Sequence, residues 1–443
     1  MKRTFTSAFA SLIIAGCSFA SLSAQAQVFG PVSNLRPYDK AGINVFEDPK
    51  QDSVDFEGIR VKLGAGFTQS FQALKHSNNA GNLYKITPGL NTANANLFLD
   101  VQLADGIRLN LTSYLSSRHH NETWVKGGYI QFDKLPFKGD IWEDIMEYTT
   151  IKVGHMEINY GDQHFRRSDG GHTFYNPFAE NYILDAFSTE IGGEVLVRKN
   201  GLFGMVGVSN GMIKGNIDEL VPTAVDDNTH KSPSFYLKAG IDKQVKPEFR
   251  VRASASFYTN NSSGGQTLYG GDRTGSNYFM VMEKPGGTYS ANAFSGRFNP
   301  GFSKKVDALQ VNGFIKARGL ELFGTLESAQ GRSKNETEIR DVSQYAVDAV
   351  YRFGSSENLF VGARYNTVSA TLANVPATLT TEAIVYNNDV KISRMAFGGG
   401  WFMTKNILLK GEYVNQEYKD FPTADYRDGG RFKGFVVQAA VGF

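Results

Sequence analysis

Between Ile59 and Thr68 the chain alternates without a break: Ile59, Val61, Leu63, Ala65 and Phe67 fall on one face, and Arg60, Lys62, Gly64, Gly66 and Thr68 on the other. A period of two belongs to an extended strand with one apolar and one wet face; on a helix the same residues would scatter around the cylinder. The pattern recurs. Ala95, Leu97, Leu99, Val101 and Leu103 oppose Asn94, Asn96, Asp100 and Gln102, with Phe98 the exception. Phe249, Val251, Ala253, Ala255 and Phe257 oppose Arg250, Arg252, Ser254 and Ser256.

Strands are predicted at 58–69, 93–104, 106–116, 123–132, 149–156, 190–199, 202–209, 234–242, 248–259, 308–318, 320–328, 344–353, 358–367, 390–402, 406–415 and 433–443. Their number is even, as a closed antiparallel barrel in a single bacterial chain requires. Long links near 70–92, 156–189, 210–233, 259–307, 329–343, 368–389 and 416–432 interleave with tight turns such as Asp105-Gly106, Lys199-Asn200-Gly201 and Arg318-Gly319. That asymmetry is expected of an outer-membrane barrel with long external loops and short periplasmic turns. One link, 133–148, is long on the short-turn side.

The fold class expected is therefore all-β: a transmembrane antiparallel barrel of about 16 strands over residues 57–443. It follows a signal peptide at 1–26 and an N-terminal periplasmic segment at 27–56. Lys2 and Arg3, an apolar stretch and Ala24-Gln25-Ala26 form the signal, with cleavage after Ala26. Ile14-Ala15-Gly16-Cys17 also fits a lipoprotein cleavage box, so acylation of Cys17 is the competing outcome. No other cysteine exists, and a chain cut after Ala26 has neither disulfides nor cysteine-bound metal.

Beyond the signal no apolar run nears the roughly 18 residues of a membrane helix. Mean hydropathy is −0.30 despite 33 Phe and 20 Tyr, the balance of a barrel in which only alternate residues meet lipid. A net charge of +2 gives no support to a nucleic-acid partner. The last strand alternates Phe435, Val437, Ala439, Val441 and a terminal Phe443, an end resembling the signal that the barrel-assembly machinery reads.

With apolar faces turned to lipid, the opposite faces line the lumen. Arg108, Lys126, Lys152, Arg250, Arg252, Lys316, Arg352, Arg364 and Lys410 are the principal candidate pore-lining residues, and basic side chains outnumber acidic ones on these faces. A basic constriction lowers the barrier for anions, so mild anion preference is expected. The third external loop carries His164, Arg166, Arg167 and Asp169, and folding inward would narrow a wide lumen, with Arg166 and Arg167 facing the anion. A solvated surface loop is the alternative. No nucleophile elbow, zinc helix, phosphate loop or dinucleotide fingerprint is present, so no catalytic residue, metal or cofactor is assigned.

Two stretches carry a family resemblance. Thr150-Ile151-Lys152-Val153-Gly154-His155-Met156 with Asn159-Tyr160-Gly161, and Gly399-Gly400-Trp401-Phe402 through Asn406 to Tyr413 and on to the end, resemble the phosphate-selective porin O and P family. The resemblance implies a trimeric porin of 16 strands selective for phosphate or other anions. Tyr160 stands where the family has proline, and no stretch is assigned to its lysine-rich trapping loop. The function expected is thus a water-filled outer-membrane channel for passive diffusion of small anionic solutes, not an enzyme. The competing expectation is a plugged barrel that serves as a scaffold or binds a partner through its long loops.

Overall fold

The computed structural model describes residues 29–50, 55–91, 93–116, 123–213, 221–226, 231–263, 265, 268–270, 276–288, 292, 296–379 and 382–443. The signal segment with Cys17, and His119-His120, lie outside them. Sixteen strands form one closed sheet: β1 (Arg60–Ser77), β2 (Asn94–Ala104), β3 (Ile107–Ser116), β4 (Trp124–Phe132), β5 (Thr149–Glu157), β6 (Thr189–Lys199), β7 (Leu202–Ser209), β8 (Ser234–Lys246), β9 (Phe249–Asn260), β10 (Lys305–Ala317), β11 (Leu320–Arg332), β12 (Arg340–Phe353), β13 (Leu359–Ala370), β14 (Val390–Thr404), β15 (Ile407–Lys419) and β16 (Arg431–Gly442). Each pairs antiparallel with its sequence neighbours, and β1 pairs with β16 from Gly66 opposite Gly442 to Ser77 opposite Arg431, which closes the ring. A two-residue strand at Gly89–Leu90 rests on β1.

The alternation read from the sequence becomes an inverted burial pattern. On β9, Ala253, Ala255 and Phe257 are exposed while Arg252, Ser254, Ser256 and Tyr258 are buried. Leu309, Val311 and Ile315 on β10, and Tyr345, Val347 and Tyr351 on β12, likewise point out with 41–55 % of their surface accessible. Such a wall is stable only against lipid, because water would meet an unbroken apolar surface far larger than soluble proteins tolerate. Several strands run beyond their predicted ends at the long-loop side, β1 to Ser77 and β15 to Lys419. There hydrogen-bonded pairing continues after the apolar alternation has stopped. At the other end the turns are tight: Asn200 and Gly201 both take positive φ (53° and 82°), the geometry of a two-residue hairpin.

The long link on the short-turn side holds the one regular α-helix of the described residues, α1 (Asp140–Tyr148). Inside the ring lie three chain segments. Residues 29–50 rest on the inner wall at the short-turn end, the third loop (158–188) crosses the lumen, and the fifth loop (261–304) sends Leu268, Tyr269 and 278–282 down onto the third.

Candidate functional site

The wall supplies most of the site's cations, and their partners come partly from the wall and partly from the inserted segments. Arg108 on β3 bonds Asp100 at 2.8 Å and Asp48 at 3.1 Å, and Lys152 on β5 reaches the same Asp48 at 3.2 Å. Arg252 on β9 binds Glu47 at 2.7 Å and Asp162 at 2.8 Å, and Lys238 on β8 adds a contact to Asp162 at 2.7 Å. Arg250 pairs with Asp242, Lys316 with Glu357, Arg352 with Glu321, and Arg364 with Asp348, each at 2.6–2.7 Å. Lys126 contacts Asp169, and Glu157 at 3.5 Å. Among the described residues, Lys410 has no carboxylate within ion-pair distance; its ammonium donates instead to the carbonyls of Thr173, Asn176 and Phe178 at 2.8–2.9 Å.

The excess of positive charge read from the strands alone is therefore offset. Glu47 and Asp48 from the N-terminal segment, and Asp162, Asp169 and Asp185 from the third loop, enter the lumen as counter-charges. Burial works against ionisation of Glu47, yet Arg252 and Lys238 outweigh it and hold the carboxyl at about 2. Asp48 is held well below its usual range in the same way by Lys152 and Arg108. Asp169 sits at about 2, burial being overcome by Lys126 and Arg167.

Every residue of the third loop is buried except Phe165, Asp169 and Tyr175, which are half-buried. Its path is written largely by side chains of the wall that bond its backbone. Arg364 donates to the carbonyl of Glu180, Arg394 to that of Asn181, and Gln344 bonds both the N–H and the carbonyl of Leu184. Asn366 and Asn312 accept from the N–H groups of Ile183 and Asp162. Two glycines let the backbone approach: a Cβ at Gly161 (φ 69°) would lie 1.7 Å from Gln310 Oε1, and one at Gly171 would lie 2.4 Å from the β2 backbone.

Arg166 and Arg167, expected to face an anion, are both buried. Arg166 lies between the rings of Phe314 and Phe323, donates to Asn44 and approaches Glu321 at 3.6 Å. Arg167 grips Asp185 through both nitrogens of its fork and stacks 3.7 Å from the centre of Phe187. His164 bonds Glu157 and Asn159, and His172 donates to the carbonyl of Tyr38 at 2.7 Å. Burial pushes His172 down to about 4.

The N-terminal segment was not read as part of the site, yet it furnishes much of it. Tyr38 stacks on Phe98 with centroids 4.0 Å apart and donates to Asp100 at 2.8 Å. Phe46 meets Phe165 and Phe314 edge-on at 5.7 and 5.4 Å. Arg36 donates to the carbonyls of Gly42 and Phe165 and lies 3.6 Å above Tyr175; burial lowers its affinity for its proton. The available signals were Phe98 and Phe314, aromatics on polar faces.

What these segments leave open is a cavity of about 210 Å³ against the β2–β6 wall. Its lining holds five cations (Arg36, Lys126, Lys152, Arg167, Arg198), five carboxylates (Glu47, Asp48, Glu157, Asp169, Glu194) and three histidines. The three half-buried residues of the third loop all line it. A second opening at the short-turn end shares Phe46, Glu47 and Arg198 with it, so the two adjoin there.

The anion-selective porin of Comamonas acidovorans superposes with a TM-score of 0.52 at 10 % identity, over 87 % of this chain and 100 % of that one. The fold is that of a porin barrel. OmpT of Vibrio cholerae in its trimer form (TM-score 0.49, 12 % identity, 87 % and 100 % covered) and OmpF of Salmonella typhi in complex with daunomycin (0.46, 11 %, 87 % and 98 %) are similar too. The sequence matches no family model and no curated relative. In this barrel the third loop crosses the lumen and the N-terminal segment narrows it from the short-turn end.

Proposed function

We propose that the chain is an outer-membrane porin, a narrow passive channel for small hydrophilic solutes with a mild preference for anions. The observation that carries the reading is the charged cavity left between the third loop, the N-terminal segment and the β2–β6 wall. Its charged groups balance in number, so selectivity turns on those without an opposite partner within 4 Å. Among the described residues, Arg36 and Arg198 are such cations and Glu194 such a carboxylate, so two unpaired cations face one unpaired carboxylate. A fixed positive charge in a low-dielectric constriction lowers the barrier for anions and raises it for cations. Phosphate, which the family resemblance implies, is the first anion to test, and a homotrimer the first assembly. The exposed ring of Phe443, on a residue whose backbone pairs with Ala65, is proposed as the mark read during barrel assembly.

Planar-bilayer recording tests this. Discrete conductance steps are expected, with a reversal potential in a salt gradient displaced to the anion side, and R198Q should move that potential towards zero. Absence of conductance sinks the channel; a cation-side potential sinks the preference alone. A second reading, a plugged barrel that works through its loops, is favoured by the burial of Leu268, Tyr269, Tyr278 and Phe279 over the third loop. It predicts conductance only after deletion of 261–304.

A further inference from the structure

The link between β4 and β5 carries a feature that solute passage does not use. On a helical wheel, Ile141, Trp142, Ile145, Met146 and Tyr148 of α1 occupy one arc, and Asp140, Glu143, Asp144 and Glu147 the opposite one. In a helix lying on a protein surface the apolar arc is covered. Here only Met146 is buried; Ile141 is 73 % exposed, Ile145 48 % and Trp142 42 %. Phe137, just upstream and also exposed, lies 5.5 Å from the Trp142 ring. The helix has nine residues, and Gly139 at its start supplies no side-chain cap. A helix this short does not hold itself in water, so its uncovered apolar face needs a cover.

We infer that α1 is an interfacial anchor whose apolar face lies in the phospholipid headgroup and upper acyl region at the short-turn rim of the barrel. Continuity identifies the occupant. The helix runs directly into β5 and touches β5 and β6, where Val153 and Val197 face outward on the lipid side of the wall. Lys199 at the rim lies 4.2 Å over the ring of Tyr148. An aromatic pair at this height is where tryptophan and its neighbours are most stable, with apolar rings towards the acyl chains and polar edges in water. The four carboxylates on the far side stay hydrated, the division of charge that interfacial helices show. The inference depends on the outward wall meeting lipid and is independent of whether the lumen conducts.

The full chain has three tryptophans, so W124F/W401F leaves Trp142 as the sole reporter. In phosphatidylcholine vesicles, quenching by acyl chains brominated near the glycerol end should exceed that by chains brominated near the methyl end by about twofold, with acrylamide quenching suppressed. Adding I141E/I145E, at two exposed positions, should abolish the lipid quenching while the barrel keeps its folded, heat-modifiable mobility. Acrylamide quenching equal to that of free tryptophan overturns the inference. Shielding that survives I141E/I145E overturns it as well. So does shielding that disappears on dilution to single barrels, which would give the face to a second copy of the chain. Bilayer conductance of the same samples reports separately on the channel reading.

Discussion

Of the segments inside the lumen, the third loop and the N-terminal segment are held there by different chemistry. The third loop is tied at both ends to strands and is gripped mainly through its backbone, by Lys410, Arg364, Arg394, Gln344 and Asn366. The N-terminal segment leads into β1 and is held mainly by side-chain charge: Glu47 on Arg252, Asp48 on Arg108 and Lys152, Lys50 on Asp133. The first is buried almost throughout, whereas most of the second is only half-buried. Donors aimed at carbonyls fix a path whatever side chains the loop carries, and losing one strands a buried acceptor. Ion pairs fix an address, but they respond to protonation and can be broken from the open side. The comparison predicts a permanent constriction and a displaceable one.

Deleting residues 29–50 should break this contrast most severely if it is wrong. The sixteen strands close without that segment, since β1 pairs directly with β2 and β16. The deleted chain is therefore expected to keep its folded mobility and to conduct severalfold more than the intact one in planar bilayers. Unchanged conductance would mean that the segment does not narrow the path.

Lys410→Met probes the other side. It removes one donor and leaves three buried carbonyls unpaired, which should loosen the seat of the third loop by about 3–5 kcal/mol. Noisy, flickering conductance and new protease cleavage between 173 and 178 are expected, with the barrel's melting temperature little changed. A quiet channel of normal size would show that the loop is held without Lys410.

The same division explains what could be read in advance. The wall was legible because lipid enforces a period of two, and each predicted segment finds its strand, from β1 at Arg60 to β16 at Gly442. Its irregular members were the places where tertiary contacts intervene. Phe98 and Phe314 break the polar face because Tyr38 stacks on the first and Phe46 packs edge-on against the second, each some sixty or more residues away in sequence. The lumen's charge could not be summed from strands, since Glu47, Asp48, Asp162 and Asp169 lie in segments with no periodicity to assign them a face. Partners on strands, such as Asp100, Glu321 and Asp348, were visible with their basic members, and these four were not.

Acid should separate the two segments further, though by less than either variant does. His172 has an ordinary value of 6.5 and is pushed down to about 4 by burial, Arg36 and Lys126 adding to the effect while Asp169 and the bond to Tyr38 oppose it. A depressed value means that the folded state resists the proton. The contribution of neutral His172 is complete above pH 6.5 and is lost as pH falls towards 4. Glu47 follows at lower pH, from its ordinary 4.5 down to about 2, and takes the Arg252 pairing with it. Asp162, at the start of the third loop, shares Arg252 and shifts the same way, but deeper in the loop Glu180 shifts the opposite way. Burial raises Glu180, so its contribution is present in acid and is lost as pH rises. Conductance of the intact chain should therefore climb reversibly between pH 7 and 4, as a buried charge on His172 beside Arg36 and Lys126 disfavours the packed arrangement and the N-terminal segment lifts, while the chain lacking 29–50 stays flat. An equal rise in both would place the acid response in the third loop, and the distinction between a fixed and a displaceable constriction would fail.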